Sequence, residues 1–362
     1  MGHVVADYQV LVTDLLSGRV LGEMPAVAAQ WSHVRNSPGK LDVTVSISQP
    51  PEVMSALGSV IPGGVARIGG AIVRDGVIVA GGIWWTWDAD LAAGTLSLYG
   101  EGWHSYVRRR TLRKDLSYTD KDQTSVIARA LVDYTQTAGQ TPVIDTSGVL
   151  ASGQLRDRTW KASERNNVGQ LLEDLAGDEG GFAFRYDTVR VGDAIQARFV
   201  TGPDAGRRTL LVFEQGKNIT KLGVQGDGTA VVTHVDGVGA GEGDAGLRTT
   251  AANAGLIGVY PLLDDVESHT DVSVLSTLAS YARRRLARGK APVVLPKLTV
   301  DPAADPVLGS YVVNDVIRVR AGYGLVALDD LYLIVQIDGA LSRESGETIS
   351  ITPAVADAFT TI

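Results

Sequence analysis

The sequence predicts a β-rich α+β protein in which a small α+β domain is inserted between two β-barrel domains. Much of its 362 residues consists of short runs, such as 41–47 and 317–320, in which apolar and polar residues alternate. Such alternation is typical of strands that bury one face. Segments with helical periodicity are rare, and two of them lie close together in the middle of the chain. We therefore predict domains at residues 1–106, 107–206 and 207–362.

The composition bounds the class of protein. A length of 362 residues with 44% hydrophobic residues allows two or three domains, each with its own core, and excludes wholesale disorder. The formal charge of -8 argues against a general nucleic-acid binder, which needs clustered positive charge. The chain has no Cys, so disulfides and thiolate metal sites are excluded. We expect no membrane span, because no apolar run approaches about 20 residues, and no signal peptide, so synthesis in a cytoplasm is expected.

The first predicted domain is all-β, with strands at 8–14, 41–48, 64–68, 71–73, 77–87 and 95–99. Pro38-Gly39 suits the centre of a type II turn, where glycine accepts a positive φ. Asp75-Gly76 between two apolar runs is a strong hairpin signal. Several short strands with turns at close intervals favour a barrel or a sandwich.

The predicted inserted domain contains two helices. The first follows Asp120, with Gln123 three residues on as in a capping box. Its apolar face is predicted to hold Val126, Ile127, Ala130, Leu131 and Tyr134. The second helix is predicted to bury Val168, Leu171, Leu172 and Leu175 and to stop near Gly177. A strand with aromatic residues at 182–186 follows.

The third predicted domain returns to strands, at 209–214, 219–224, 229–236, 293–300, 312–320, 331–338 and 348–352. One helix at about 270–289 interrupts them. Gly289 is placed where a left-handed C-cap residue belongs. Asp338-Gly339 and Ser345-Gly346 are predicted turns.

Residues with catalytic chemistry are scarce, and the sequence predicts no catalytic, cofactor-binding or metal residue. His33, His104, His234 and His269 stand singly, without a second ligand at i+2 or i+4. A catalytic triad assembled from distant residues stays open. The run 241–246 matches Gly-x-Gly-x-x-Gly, but its Glu242 and Asp244 would repel a pyrophosphate. We interpret this run as a turn.

Three other clusters have a structural and a functional interpretation. Trp85 and Trp87 are expected on one strand face, with Trp84 on the other, either as packing residues or as a platform for sugar rings. The basic runs are Arg108, Arg109, Arg110, Arg113 and Lys114, and Arg283, Arg284, Arg285 and Arg288. They are interpreted as subunit contacts or solvated faces rather than DNA sites; the second also suits a helix C-terminus. Asp115, Asp120 and Asp122 are interpreted as capping residues rather than a glycosidic acid–base pair.

The order of these features resembles the tail hub family of long-tailed bacteriophages, which includes baseplate hubs and minor tail proteins. The matching segments occur at 35–41, 98–102, 169–176 with 180–182, 215–219, 238–243 and 308–315. In the last of these, Asn314 stands where the family often has Gly before Asp. The resemblance covers nearly the whole chain, and no C-terminal peptidase or lysozyme domain is expected.

The resemblance implies a structural virion protein rather than an enzyme: a homotrimeric ring at the tail tip, assembled in the host cytoplasm. It would adapt a sixfold tail tube or distal tail protein to threefold tip or central fibre proteins. DNA would meet it only as passing cargo, and no cofactor is implied. Two alternatives stay open: a tail-associated cell-wall hydrolase, and a module that binds host-surface carbohydrate.

Overall fold

The structure is a computed structural model that describes residues 6–47, 65–178, 180–202, 208–241, 243–270, 272–290, 293–324, 326–342 and 346–355. The chain forms two compact units. The first comprises Met1–Leu222 with Lys297–Ile362, and the second Gly223–Pro296. The predicted division into three domains stays a prediction.

Six strands close into a β-barrel at the start of the first unit. They are β1 (Tyr8–Asp14), β2 (Val20–Val34), β3 (Lys40–Ser46), β4 (Ile68–Arg74), β5 (Val77–Asp90) and β6 (Thr95–Gly102). Antiparallel pairing runs β1-β4-β5-β6-β3-β2 and returns from β2 to β1. Asp75 and Gly76 form the β4–β5 turn with φ of 48° and 80°, as the hairpin signal requires. The β-rich fold class and a barrel are thus confirmed.

The longest strand of the barrel, β2, was absent from the predicted strands. Beyond the barrel, its residues 29–34 pair with residues 336–341 of β19 (Val326–Ser342), and Trp31 lies opposite Gly339. The Trp31 ring covers Gly339 so closely that an added Cβ would lie 2.1 Å from ring carbon Cε2. The predicted turn at Asp338-Gly339 is therefore wrong, because this glycine serves close packing inside a strand. We call the β2–β19 pairing the seam.

The seam joins the barrel to a second set of strands. The additional members are β12 (Arg208–Glu214), β13 (Ile219–Asp227), β17 (Val293–Val300), β18 (Val316–Tyr323) and β20 (Gly346–Val355). They pair in the order β12-β18-β19-β20-β17-β13. A bridge between Gln215 and Ile219 links the chain after β12 to the start of β13. Closure of this set into a second barrel stays a prediction; of the predicted turn at Ser345-Gly346, Ser345 lies outside the described residues.

A nearly buried ion pair also ties the second set to the barrel. Glu347 on β20 accepts hydrogen bonds from Arg74 Nε at 2.5 Å and Arg74 Nη2 at 2.9 Å. It also accepts the Tyr8 hydroxyl at 2.6 Å. Burial, together with the Glu347 carboxylate, raises the pKa of Tyr8, so this phenol stays protonated and acts as the donor. One carboxylate therefore connects β20 to both β1 and β4.

The inserted segment packs on the outside of the barrel. Its elements are α1 (His104–Val107), β7 (Leu116–Asp122), α2 (Arg129–Gln136), β8 (Ile144–Asp145), β9 (Leu155–Trp160), α3 (Val168–Gly177), β10 (Ala183–Val191) and β11 (Ala194–Gly202). Leu11, Ile83 and Trp103 of the barrel side share one apolar cluster with α2, α3 and β10. All four apolar residues predicted for α3 are buried or nearly so, and the helix ends at Gly177 as predicted.

The helix predicted after Asp120 begins two residues later. Asp122 is its N-cap, and a π-helical segment, Gln123–Ala128, precedes α2. A π-helical turn adds a residue and rotates the buried face. Consequently Val126 is exposed and Ala130 half-buried, whereas the adjacent Ala128 and Val132 are buried with Ile127 and Leu131. The predicted apolar face is correct for Ile127 and Leu131, partly correct for the half-buried Ala130 and Tyr134, and wrong for Val126.

The described residues of the second compact unit include a three-stranded sheet and one helix. Its elements are β14 (His234–Val238), β15 (Arg248–Ala252), β16 (Asp264–Ser268) and α4 (Leu275–Arg288). Val232, Val235, Leu278, Ala282 and Leu286 form its small core. Gly289 is the C-cap of α4 but has a φ of -95°, so its predicted left-handed conformation is wrong. Glycine is needed for space instead, because an added Cβ would lie 2.8 Å from the Ala230 carbonyl oxygen.

The turn before β18 gives a test of backbone conformation. Asn314, at the position where the resembling family often has glycine, has a φ of 79°, in the left-handed region. We expect Asn314→Gly to be at least as stable as the wild type. Asn314→Ala should unfold with a free energy lower than that of Asn314→Gly by about 1–2 kcal/mol, because a Cβ is disfavoured at positive φ. Urea unfolding of the three proteins checks this order, and equal midpoints for the two variants would contradict it.

Candidate functional site

The first basic run contacts the inserted segment and, through Arg109, the barrel. Arg108 donates from Nε and Nη2 to the two carboxylate oxygens of Glu173 on α3, at 2.6 and 3.0 Å. The Arg109 guanidinium lies 3.9 Å from the centre of the Trp85 ring. Arg110 and Lys114 lie near the rings of Tyr106 and Tyr134, and Arg113 is exposed. Most of this run thus has neighbours within its own chain, which favours the structural interpretation.

A buried polar cluster surrounds His104 in the first unit. Its Nε2 lies 2.7 Å from Glu173 Oε1, and its Nδ1 lies 3.2 Å from the Tyr186 hydroxyl. Burial lowers the pKa of His104, so we assign a neutral ring that donates from Nε2 and accepts from Tyr186. Burial alone would raise the pKa of Glu173, but the hydrogen bonds from His104 and Arg108 lower it to about 2. The carboxylate thus fixes α3 against the segment that leaves the barrel.

This cluster predicts a dependence of stability on pH. The folded-state pKa of Glu173, about 2, lies below its unfolded value of 4.5. Its contribution to stability is therefore complete above pH 4.5 and is lost as the pH falls towards 2. We expect Glu173→Gln to be less stable than the wild type at neutral pH and to lose less stability over that acidic window. Urea unfolding across the window checks this, and parallel curves for the two proteins would contradict it.

The three tryptophans are arranged differently from the prediction. A β-bulge between Trp84 and Thr86 inserts one extra residue into β5. Trp84 therefore lies inside the barrel, Trp85 points outward, and Trp87 returns to the face of Trp84. The expectation that Trp85 and Trp87 share a face is wrong, because the bulge shifts the alternation. Trp85 also donates from Nε1 to Ser105 at 3.1 Å, so this pair forms no sugar platform.

The acidic residues at the start of the inserted segment are structural. Asp122 accepts hydrogen bonds from the backbone N–H groups of Thr124 and Ser125 and from those of residues 152 and 153. Burial would raise the pKa of Asp122, but these bonds lower it to about 2. Asp115 pairs with Lys161 and accepts the Ala162 N–H. The backbone N–H of Asp120 donates to Asp157. The three do not form a carboxylate pair.

The glycine-rich run does not have the geometry of a phosphate loop. It follows β14, forms a short 3₁₀ turn at Gly243–Ala245, and leads into strand β15. A dinucleotide fold requires a helix at this point, with its N-terminus towards the phosphates. Glu242 lies outside the described residues. The interpretation as a turn agrees with the described geometry.

The second basic run also makes contacts within its own unit. Arg285 pairs with Asp265 at 2.6 Å, and Arg284 lies 4.7 Å from the centre of the Tyr281 ring. Arg283 is exposed, and the side chain of Arg288 lies outside the described part. Within the described ranges no group of three or more His, Asp or Glu side chains has the arrangement of a metal site. In the same ranges no helix is long and apolar enough to cross a membrane.

Sequence reasoning missed a cavity of about 210 Å³ in the first unit. Trp31, His33 and Val79 of the barrel line it, together with Tyr186 and Tyr311. His33 Nε2 lies 2.7 Å from the Val79 carbonyl oxygen, and burial lowers the pKa of this histidine. The Tyr311 hydroxyl is buried and has no hydrogen-bond partner among the described residues. A partly polar cavity of this size suits a few ordered waters.

Comparison with known proteins identifies the fold. No family model matches the chain, and no curated protein does. A tail protein from Neisseria meningitidis matches with a TM-score of 0.63 and 16% identity, over 98% of each chain. The 43 kDa tail protein of prophage MuSo2 from Shewanella oneidensis matches with a TM-score of 0.66 and 11% identity, over 97% of this chain and 99% of its own. The chain has the fold of phage tail proteins.

The tail-protein fold extends to a secretion component. An E. coli protein described as part of the type VI secretion system, with structural similarity to the T4 tail proteins gp27 and gp5, matches with a TM-score of 0.50 and 10% identity. The match covers 91% of this chain and 73% of that one. The likeness to a tail hub predicted from the order of sequence motifs is thus confirmed for the fold.

Proposed function

We propose that the chain is a structural virion protein of a long-tailed phage and forms the homotrimeric hub of its tail tip. One observation carries the proposal: a closed six-stranded barrel continues through the seam into a second set of strands, within the tail-protein fold. In this proposal residues 1–106 and 207–362 are the two ring-forming domains. Residues 107–206 are the insertion between them.

The proposed mechanism is geometric. Three chains with two similar ring-forming domains each present six such domains to a sixfold tail tube or distal tail protein. The same ring has threefold symmetry towards the tip or central fibre proteins. Such a ring uses a heterologous interface, which closes only when the rotation per chain is right. DNA passes through the centre as cargo and is not recognised.

The contacts of the first unit support this mechanism. A ring in which the two ring-forming domains alternate requires a fixed angle between these domains in each chain. The seam and the Arg74–Glu347 pair supply two separate attachments between the barrel and the second set of strands. They restrict rotation more than a single flexible linker would.

The oligomeric state tests the proposal. We expect light scattering of the purified protein mixed with its distal tail protein to give a complex that contains three copies of the 38.2 kDa chain. Antibodies against the chain should label one end of the tail in electron micrographs of virions. A dimer, an open filament, or label along the whole tail would overturn the hub. The mixture is needed because ring closure depends on the partner and on concentration.

A structural role also predicts no release of muropeptides when the protein is incubated with host cell-wall sacculi. A heat-inactivated sample provides the background for this measurement. Turnover above that background would support the alternative of a tail-associated hydrolase.

A further inference from the structure

An open groove crosses the outer face of the barrel, on β3, β6 and β5. Strand pairing places the side chains that line it in rows across the strands: Lys40 lies opposite Glu101, and Asp42 lies opposite Tyr99. Thr86 lies opposite Tyr99 on the other side. These residues line the groove together with Trp85 and Arg109. Because the lining residues other than Arg109 come from or directly adjoin paired strands, the groove is largely pre-formed.

One aromatic ring is free to receive a ligand. Tyr99 is 43% exposed in the middle strand of the groove. Trp85 is not free in this way, because the Arg109 guanidinium lies over its ring and its Nε1 donates to Ser105. The bulge that turns Trp85 outward gives the groove a wall formed by Trp85 and Arg109. Bulges often re-aim side chains beside functional sites.

The polar groups around Tyr99 include both donors and acceptors. Glu101 is exposed and attracts the Arg108 guanidinium electrostatically, and the Arg109 guanidinium lies over the Trp85 ring. On the neighbouring strand β3, Lys40 pairs with Asp42 at 2.8 Å and donates to Gln30 at 2.7 Å. An exposed ring beside a carboxylate and a guanidinium matches a ligand with one apolar face and a rim of hydroxyl groups.

We propose that this groove binds a neutral saccharide, with one sugar ring stacked on Tyr99 and its hydroxyl groups bound by Glu101, Arg109 and Asp42. Sugar rings present C–H groups on one face and hydroxyls, each a donor and an acceptor, at the rim. Nucleic acid and other polyanions are disfavoured because Asp42 and Glu101 would repel them. An apolar helix or a membrane is disfavoured because charged rows flank the ring. The site is independent of the hub proposal.

Titration of the full chain with three neutral oligosaccharides tests the proposal. The probes are hexamers of β-1,4-linked glucose, β-1,4-linked N-acetylglucosamine and α-1,4-linked glucose, followed by changes in NMR spectra or by calorimetry. We expect at least one to bind with a Kd on the order of 1 mM or tighter. Tyr99→Ala should weaken that binding at least about tenfold, a loss that corresponds to 1.4 kcal/mol. Glu101→Gln should weaken it less.

The matched control is Trp87→Ala, which removes an aromatic side chain of similar exposure, 39%, from the opposite face of the neighbouring strand. It should bind as the wild type does. Thermal unfolding of each variant shows that it is folded. The proposal is overturned if none of the three probes binds, if Tyr99→Ala binds as well as the wild type, or if Trp87→Ala abolishes binding as Tyr99→Ala does.

Discussion

Glu347→Ala should lower the free energy of unfolding by about 2–4 kcal/mol, because it leaves the Arg74 guanidinium with no carboxylate at a nearly buried site. The side chains of Arg74 and Glu347 are only 15% and 13% exposed. The Tyr8 hydroxyl, which donates to the same carboxylate, loses its acceptor as well. Urea unfolding followed by tryptophan fluorescence measures the loss.

Asp329→Ala is a matched control, because the chain contains the same pair at its surface. Arg318 donates to Asp329 from Nε at 2.6 Å and from Nη2 at 2.9 Å, almost the geometry of Arg74 on Glu347. Arg318 and Asp329 are 42% and 54% exposed. Water stabilises both charges when the pair is broken, so no measurable loss is expected. Equal losses for Glu347→Ala and Asp329→Ala would show that burial does not set the strength of this contact.

Gly339→Ala should destabilise the chain by about 3 kcal/mol or more, because the new methyl group occupies the position of the Trp31 ring. Trp31 is 2% exposed and lies directly opposite Gly339 in the seam. The ring can move only by opening the pairing between β2 and β19 or by leaving the core. Thermal unfolding and the fluorescence maximum of the tryptophans report the two outcomes.

Gly226→Ala separates this steric effect from the general effect of alanine at a strand glycine. Gly226 lies in β13, and an added Cβ there would meet nothing within 4 Å. We expect a change within about ±0.5 kcal/mol at this position. If Gly339→Ala were equally neutral, the Trp31 ring would not be fixed over Gly339.

Local signals predicted the elements that depend on neighbouring residues. The bounds of β1 and β17 match the predicted 8–14 and 293–300. The Asp75-Gly76 turn was also predicted correctly, because the residues that determine a hairpin turn lie within four positions of one another. In α3, helical spacing of leucines was sufficient to place the buried face.

The features that sequence reasoning missed depend on partners far along the chain. Asp338-Gly339 reads as a turn, and only the Trp31 ring, about three hundred residues earlier, explains glycine within a strand. The bulge at Trp85 is defined by its pairing with β6, so periodicity alone put Trp85 and Trp87 on one face. The groove was missed for the same reason, because strand order brings Lys40 and Asp42 beside Glu101 and Tyr99.

The seam also has a consequence for synthesis on the ribosome. The edge of β2 at residues 29–34 pairs with residues 336–341, so its partner is translated about 300 residues later. At about 5–20 residues per second this edge waits on the order of 15–60 s without that partner. An open strand edge can pair with another chain during this interval. We therefore expect chains truncated before β19 to aggregate on release, and the nascent chain to depend on a chaperone that shields β2 until translation is nearly complete.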